Sequence, residues 1–419
     1  MNPTLPRAAL VAATVLFSLA PALLPRTACA EGTKSSSVVK PAKRPLVEMV
    51  FVLDTTGSMG GLLDGAKTKI WEIVNAVMRT PADRRPEVRI GLVAFRDHGD
   101  AYVTKVLPLT ADLDKVYATL MEYRAEGGGD GPEDVRQALA DGVAKTGWSD
   151  KSAVRKSGRA ILQTLFLVGD APPHDDYAQE PDVLTTTAKA VSRGVFVNTI
   201  QCGSDGATTT VWQKVARSGE GQYFAIAQDG GVQAIATPYD EQLGKLGAKM
   251  GGTYTAFGGG SGARGKSFRE GAKSKSLAME ESVESFAATR SIGGSAAAAP
   301  AAAADRAVNK ALNDRAYNDS DLLTAVENGS VALGKVRADD LPDDLRKLSP
   351  VARDAAVKKR LAERKALRAE ILVLSKKRDT FMRAEREKKA AVSGKKVTGF
   401  DAAVANALKA QAKKRGIGL

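Results

Sequence analysis

Between residues 46 and 250 the chain alternates short apolar, β-branched runs with helical stretches, and that alternation limits the folds open to it. The runs are Val47–Leu53, Val88–Phe95, Leu162–Val168, Val195–Gln201 and Gln222–Ile226. They lack regular polar alternation, so each reads as a strand covered on both faces. Between the first two, Ile70, Ile73, Val74, Val77 and Met78 fall at i, i+3, i+4, i+7 and i+8 and draw one apolar stripe. Buried strands separated by amphipathic helices predict an α/β fold, a doubly wound and mostly parallel sheet. Tyr102–Leu107 reads as an additional strand, antiparallel at an edge.

Outside this region the composition changes. Arg7, an apolar stretch over 8–24 and the small-x-small site Ala28-Cys29-Ala30 identify residues 1–30 as a signal peptide, so the protein is expected to be exported to a periplasm or beyond. The processed chain then keeps Cys202 alone, which excludes an intrachain disulfide and reads as a buried, inert thiol. Residues 256–305, opening on Gly258-Gly259-Gly260-Ser261-Gly262 and closing on the Ala/Pro tract Ala296–Ala304, read as a flexible linker. Residues 306–419 read as a basic α-helical C-terminal region. Leu367, Ile371, Leu374 and Phe381 mark a narrow seam there, interrupted by Arg378, as in a helical hairpin or coiled coil. Residues 351–419 hold 20 Lys+Arg and 7 Asp+Glu, which accounts for the whole chain's formal charge of +13.

Chemistry is concentrated where the strands end. Asp54-Thr55-Thr56-Gly57-Ser58 follows the first strand and offers a carboxylate and two hydroxyls at alternate positions of one turn. Asp170 follows a later strand, and Gly127-Gly128-Gly129-Asp130-Gly131-Pro132-Glu133-Asp134 lies between them. In open parallel sheets ligands bind at the carboxyl ends of strands, so the three loops can converge. Oxygen donors of this kind suit Mg²⁺, Mn²⁺ or Ca²⁺. Asp54-x-Thr56-x-Ser58, the glycine-rich loop and Asp170 together resemble the metal-ion-dependent adhesion site of von Willebrand factor type A domains. The likeness is strongest to bacterial members, in which strings like LDTTGSM, GGGDGPEDV and GDAPPH recur in this order. The resemblance covers residues 46–250. It implies a non-enzymatic module that presents a divalent ion, Mg²⁺ or else Mn²⁺ or Ca²⁺, to a carboxylate of a protein ligand. It also implies that Thr56 and Ser58 ligate directly, with Asp54 and Asp170 binding directly or through water. Many members place a threonine in the second loop, where this chain offers Asp130; the extra negative charge weakens the ion's attraction for an acidic ligand.

Other chemistries fit less of the chain. In a haloacid-dehalogenase-like phosphohydrolase Asp54 would be the nucleophile and Asp170 a Mg²⁺ ligand, but no motif lysine follows and the glycine-rich loop has no role. An aspartic protease needs contiguous Asp-Thr-Gly twice. Zinc hydrolysis is not expected, because His98 and His174 lie in no ligand spacing, and His174 reads as a surface-loop residue. Gly260–Ser267 matches the phosphate-loop pattern letter for letter but lies in the expected linker rather than between strand and helix. Trp71, Trp148 and Trp212 read as packing. The basic segment 351–419 suits an anionic envelope polymer or membrane surface; with few interleaved aromatics, nucleic acid is disfavoured.

Overall fold

Strand β1 (Leu46–Asp54) is buried along its whole length, which a strand achieves only at the centre of a covered sheet. Its neighbours in the chain order are α1 (Leu63–Met78), β2 (Glu87–Phe95), β3 (Thr104–Thr110), α2 (Leu113–Glu122), α3 (Val135–Ala144), α4 (Lys151–Lys156), β4 (Ile161–Gly169), α5 (Val183–Ser192), β5 (Phe196–Cys202), α6 (Gly206–Ser218), β6 (Glu220–Ile226) and α7 (Asp240–Gly252). The structure is a computed structural model that describes residues 43–60, 62–226, 235–288, 298–313, 316–317, 320–393 and 400–419. The expected signal peptide lies outside those residues.

The six strands form one sheet in the order β3-β2-β1-β4-β5-β6. Every neighbouring pair is parallel except β2 with β3, so the edge strand expected at Tyr102–Leu107 exists, displaced to Thr104–Thr110. Successive β1 side chains point to opposite faces. Val47, Met49, Phe51 and Leu53 enter one core with α1, α2 and α7, while Val50 and Val52 enter the other with α3, α5 and α6. Trp71 and Trp212 are fully buried, one in each core, and Cys202 is buried in the first core. Helices α2 to α6 each begin on an aspartate whose carboxylate accepts from a backbone N–H of the first turn.

The C-terminal half differs from the sequence expectation. The described residues of 256–305 do not form a flexible linker: most of them lie in α8 (Gly262–Ala288) and α9 (Ala298–Leu312), and residues 289–297 lie outside the description. Ala301 to Ala304 are all buried, because alanine favours helix and its small side chain lets two helices approach closely. Helix α7 meets α9 so tightly that a Cβ on Gly247 would lie 2.8 Å from Ala307 Cβ. Composition suggested flexibility; the tract is instead a packing surface. After α10 (Leu322–Glu327) and α11 (Asp343–Arg346) come α12 (Pro350–Ser393) and α13 (Phe400–Lys414).

The seam on α12 does not build a free hairpin or coiled coil. Leu367, Ile371 and Leu374 join the first core, and Phe381 meets Tyr239 edge-on at 6.4 Å. Arg378, which breaks the apolar seam, is buried and pairs with Asp240 of α7 at 2.6 Å and Asp305 of α9 at 2.7 Å. Arg364 of α12 pairs with buried Asp321 at 2.6 Å, and Arg306 of α9 forks onto Glu280 of α8 at 2.8 and 2.9 Å. Helix α13 lays Val404, Leu408 and Ala412 on the same core, and Gln411 bonds Asn198 of β5 at 2.9 Å. The described residues of 306–419 are therefore docked on the sheet domain rather than tethered to it. No helix among the described residues is long and apolar enough to cross a membrane.

Candidate metal centre

The loop after β1 is held before any ion is considered. Thr55 donates from its N–H and its hydroxyl to Phe95 O, at 3.0 and 2.8 Å, and Gly57 N–H donates to Gly127 O at 2.9 Å. Asp54 Oδ1 accepts from Thr56 N–H at 2.9 Å and from Thr56 Oγ1 at 2.7 Å, folding the turn back on itself. Thr56 Oγ1 lies 3.1 Å from Ser58 Oγ, and Ser58 Oγ donates to Asp170 Oδ1 at 2.9 Å. Four of the five residues read from the sequence thus meet at the carboxyl ends of β1 and β4: Asp54, Thr56, Ser58 and Asp170. Asp54 and Thr56 are buried, Asp170 is half-buried and Ser58 is exposed, so the cluster opens to solvent on one side.

Asp130 is not among them. Its side chain is 62% exposed, and its Oδ1 lies 3.5 Å from His174 Nε2. The acid of the second loop that reaches the cluster is Glu133. It is 2% exposed, its carboxyl lies against the Thr56 hydroxyl within hydrogen-bonding reach, and its Oε2 is buried without a partner. The loop's geometry decides this. Gly127 and Gly128 adopt φ of +76° and +78°, a region that favours glycine. A Cβ on Gly128 would stand 2.9 Å from Glu133 Oε1 and 3.2 Å from Thr56 Cβ, so only a bare backbone passes between them. Asp134 is taken by the α3 cap, where its Oδ1 accepts from Gln137 N–H at 2.9 Å. His174 is 7% exposed and is not a surface-loop residue.

Electrostatics mark the same cluster. Burial pushes the Asp54 carboxyl up to about 7, opposed by the Thr56 N–H and reinforced by the charge of Asp170. Burial, then the charge of Asp54, pushes Glu133 up to about 8, and burial also raises Asp170. Three crowded carboxyls resist ionising together. A hard divalent cation reverses that situation, and three carboxyl groups with two hydroxyls are a donor set such a cation takes. The residues present fit a metal ion; Glu133 rather than Asp130 is the third acid. Nothing in the sequence singled out Glu133, because three acids stand within five residues of a glycine-rich loop.

The phosphate-loop string is accounted for otherwise. Gly258 and Gly260 donate their N–H groups to the backbone and side chain of Asp340, at 2.7 and 2.8 Å, and Arg269 binds the Gly258 and Gly260 carbonyls. The element directly before α8 is the helix α7 rather than a strand, so that string builds a turn and the start of α8.

A family model described as a von Willebrand factor A domain matches residues 48–238. Human von Willebrand factor A domain-containing protein 7 is 32% identical over 133 residues, which is 32% of this chain and 13% of that protein. A mimivirus protein described as a putative ariadne-like RING finger protein is 27% identical over 150 residues, 34% of this chain and again 13% of the relative. The chain thus spans about an eighth of the length of these relatives. Among solved structures, the BatB protein of Bacteroides thetaiotaomicron is 16% identical, with a TM-score of 0.31 and coverage of 44% of this chain and 90% of that one. Proximal thread matrix protein 1 of the mussel byssus, solved with zinc in its metal-ion-dependent adhesion site, is 13% identical with a TM-score of 0.35, covering 44% of this chain and 43% of that one. Residues 48–238, somewhat under half of the chain, thus match the von Willebrand factor A domain.

Proposed function

We propose that this protein is an exported binding module that holds Mg²⁺, with Mn²⁺ or Ca²⁺ as substitutes, at Asp54, Thr56, Ser58 and Asp170, with Glu133 as the acid of the second loop. The observation that carries this reading is the continuous chain of oxygen contacts from Asp54 through Thr56 and Ser58 to Asp170, backed by the unpartnered oxygen of Glu133. Bound there, the ion supplies a Lewis-acidic position facing solvent beside exposed Ser58. Domains of this family are chiefly interaction modules, and the partner we infer is a protein that offers a carboxylate to the ion. An acidic-peptide array probed with the full chain tests this. Retention that needs Mg²⁺, is lost in EDTA and is lost when the peptide's Glu and Asp become Gln and Asn is the expected result. Retention that survives EDTA overturns it.

Phosphohydrolase chemistry gains no support, since the matched family is a different one and Asp54 is already bound by two donors of Thr56. Metal-dependent hydrolysis of a phosphate ester, abolished by Asp54→Asn, would reverse that conclusion. The basic charges left on the outer side of α12, Lys358, Lys359, Lys376 and Lys377 among them, are exposed and form the surface we assign to an anionic envelope polymer or membrane.

A further inference from the structure

The protein's two histidines, 76 positions apart, meet on the ring of Tyr177. His174 stacks on it at 4.2 Å and 12°, and His98 lies 4.4 Å away at 43°. Their surroundings differ. The half-exposed His98 has Nε2 within 2.9 Å of Glu180 and 3.1 Å of Asp134, distances that an ordinary ion pair explains.

His174 is buried and stands among three carboxylates. Its Nδ1 lies 2.9 Å from Asp176 Oδ1, and with the Nδ1–H donating there the neutral ring carries its lone pair on Nε2. That Nε2 is buried and makes no hydrogen bond. It faces two anionic oxygens, Asp97 Oδ2 at 3.3 Å and Asp130 Oδ1 at 3.5 Å. Asp97 is 6% exposed, and its other oxygen accepts from Tyr177 OH at 2.8 Å. A buried ring nitrogen aimed at two carboxylates calls for positive charge between them, either a proton on Nε2 or a metal cation.

We propose that Asp97, Asp130 and His174 form a second divalent-cation site, of the zinc class and separate from the Asp54 centre. Donor atoms around a tetrahedral ion at ~2.0–2.2 Å stand about 3.3–3.5 Å apart, the spacing of His174 Nε2 from each carboxylate, and all three donors lie within 4.8 Å of one another. One imidazole nitrogen with two carboxylates suits Zn²⁺ or Co²⁺ over Mg²⁺, and the two negative charges match one divalent ion. Each buried ligand is oriented by a neighbour, His174 by Asp176 and Asp97 by Tyr177, as ligands in metal sites commonly are. Asp130, exposed, leaves a fourth position to water. The site also joins the loops that place Glu133. His174 N–H donates to Glu133 O at 3.2 Å, and Asp100, which accepts from Asp97 N–H at 3.2 Å, also accepts from Gly128 N–H at 2.9 Å.

The test uses the full chain, stripped with chelator, held in excess Mg²⁺ and titrated with Co²⁺, whose tetrahedral complexes absorb in the visible. Wild type, Asp54→Ala and His98→Gln should each develop the band with one equivalent. His174→Gln and Asp130→Ala should weaken it by more than about tenfold. Because Asp130 is exposed, its variant decides the matter even if His174→Gln fails to fold. Unchanged Co²⁺ affinity in Asp130→Ala, or loss of the band in Asp54→Ala or His98→Gln, overturns the proposal.

Discussion

At the scale of residues, the candidate centre turns on which acid of GGGDGPED faces inward. Glu133 does, Asp134 caps α3, and Asp130 points to His174. Asp130→Ala should therefore leave Mg²⁺ affinity unchanged, whereas Ser58→Ala, at an exposed position that the fold does not need, should lower it. Isothermal titration of both variants checks this, and an equal loss in both would restore Asp130 to the centre. Lys67 makes a separate prediction. It is buried, donates to Tyr123 O at 2.8 Å, and burial lowers its pKa from 10.5 to about 8 despite nearby Asp64. Below pH 8 the amine is charged in both states and the desolvation cost is fully present. Between about 8 and 10.5 the folded protein releases its proton first, so the unfolded chain binds more protons and stability rises with pH. Urea unfolding from pH 8 to 10 should show that upward slope, and Lys67→Met should flatten it.

At the scale of elements, the sheet was readable because its strands are apolar throughout and its helices carry a 3.6-residue stripe. The seam of α12 was readable too, but not its destination. Arg378 looked like an interruption, since nothing local shows that Asp240 and Asp305 wait opposite it on α7 and α9. Removing one member of a buried ionic group leaves uncompensated charge, so Arg378→Ala should destabilise by about 3–5 kcal/mol. Arg378→Met with Asp240→Asn and Asp305→Asn, which removes the charges together, should cost less. Chemical denaturation of the two variants compares them; an Arg378→Ala cost under about 1 kcal/mol would mean the node is solvated.

At the scale of the whole molecule, the first core is shared between α1, α7, α9, α12 and α13. A fragment ending at residue 255 would expose the apolar faces of α1 and α7, and a contiguous patch of that kind drives association. We predict that the 43–255 fragment aggregates or loses cooperative unfolding, read by size exclusion and thermal melting. A monodisperse, cooperatively melting fragment would show that the C-terminal helices are dispensable. The exposed lysines of α12 should bring the full chain down with anionic vesicles at low salt and release it in 1 M NaCl, where the Debye length falls to ~3 Å. Pelleting that is negligible at both salts removes the polyanion assignment.

Sequence alone determined the strand-by-strand course of the sheet domain and the positions of Asp54, Thr56, Ser58 and Asp170. Those features are local: an unbroken apolar run buries a strand, and a turn at its carboxyl end places its oxygens at the sheet's edge. The tertiary structure decided what depended on distance in the chain. Backbone angles at Gly127 and Gly128 chose Glu133 over Asp130, and Asp97, Asp130 and Tyr177, brought together from separate loops, buried His174. From residue 298 the Ala tract is helical and packs on α7, which presents Gly244 to Ala303 and Gly247 to Ala307 just beyond the tract, a close fit that composition reads only as flexibility.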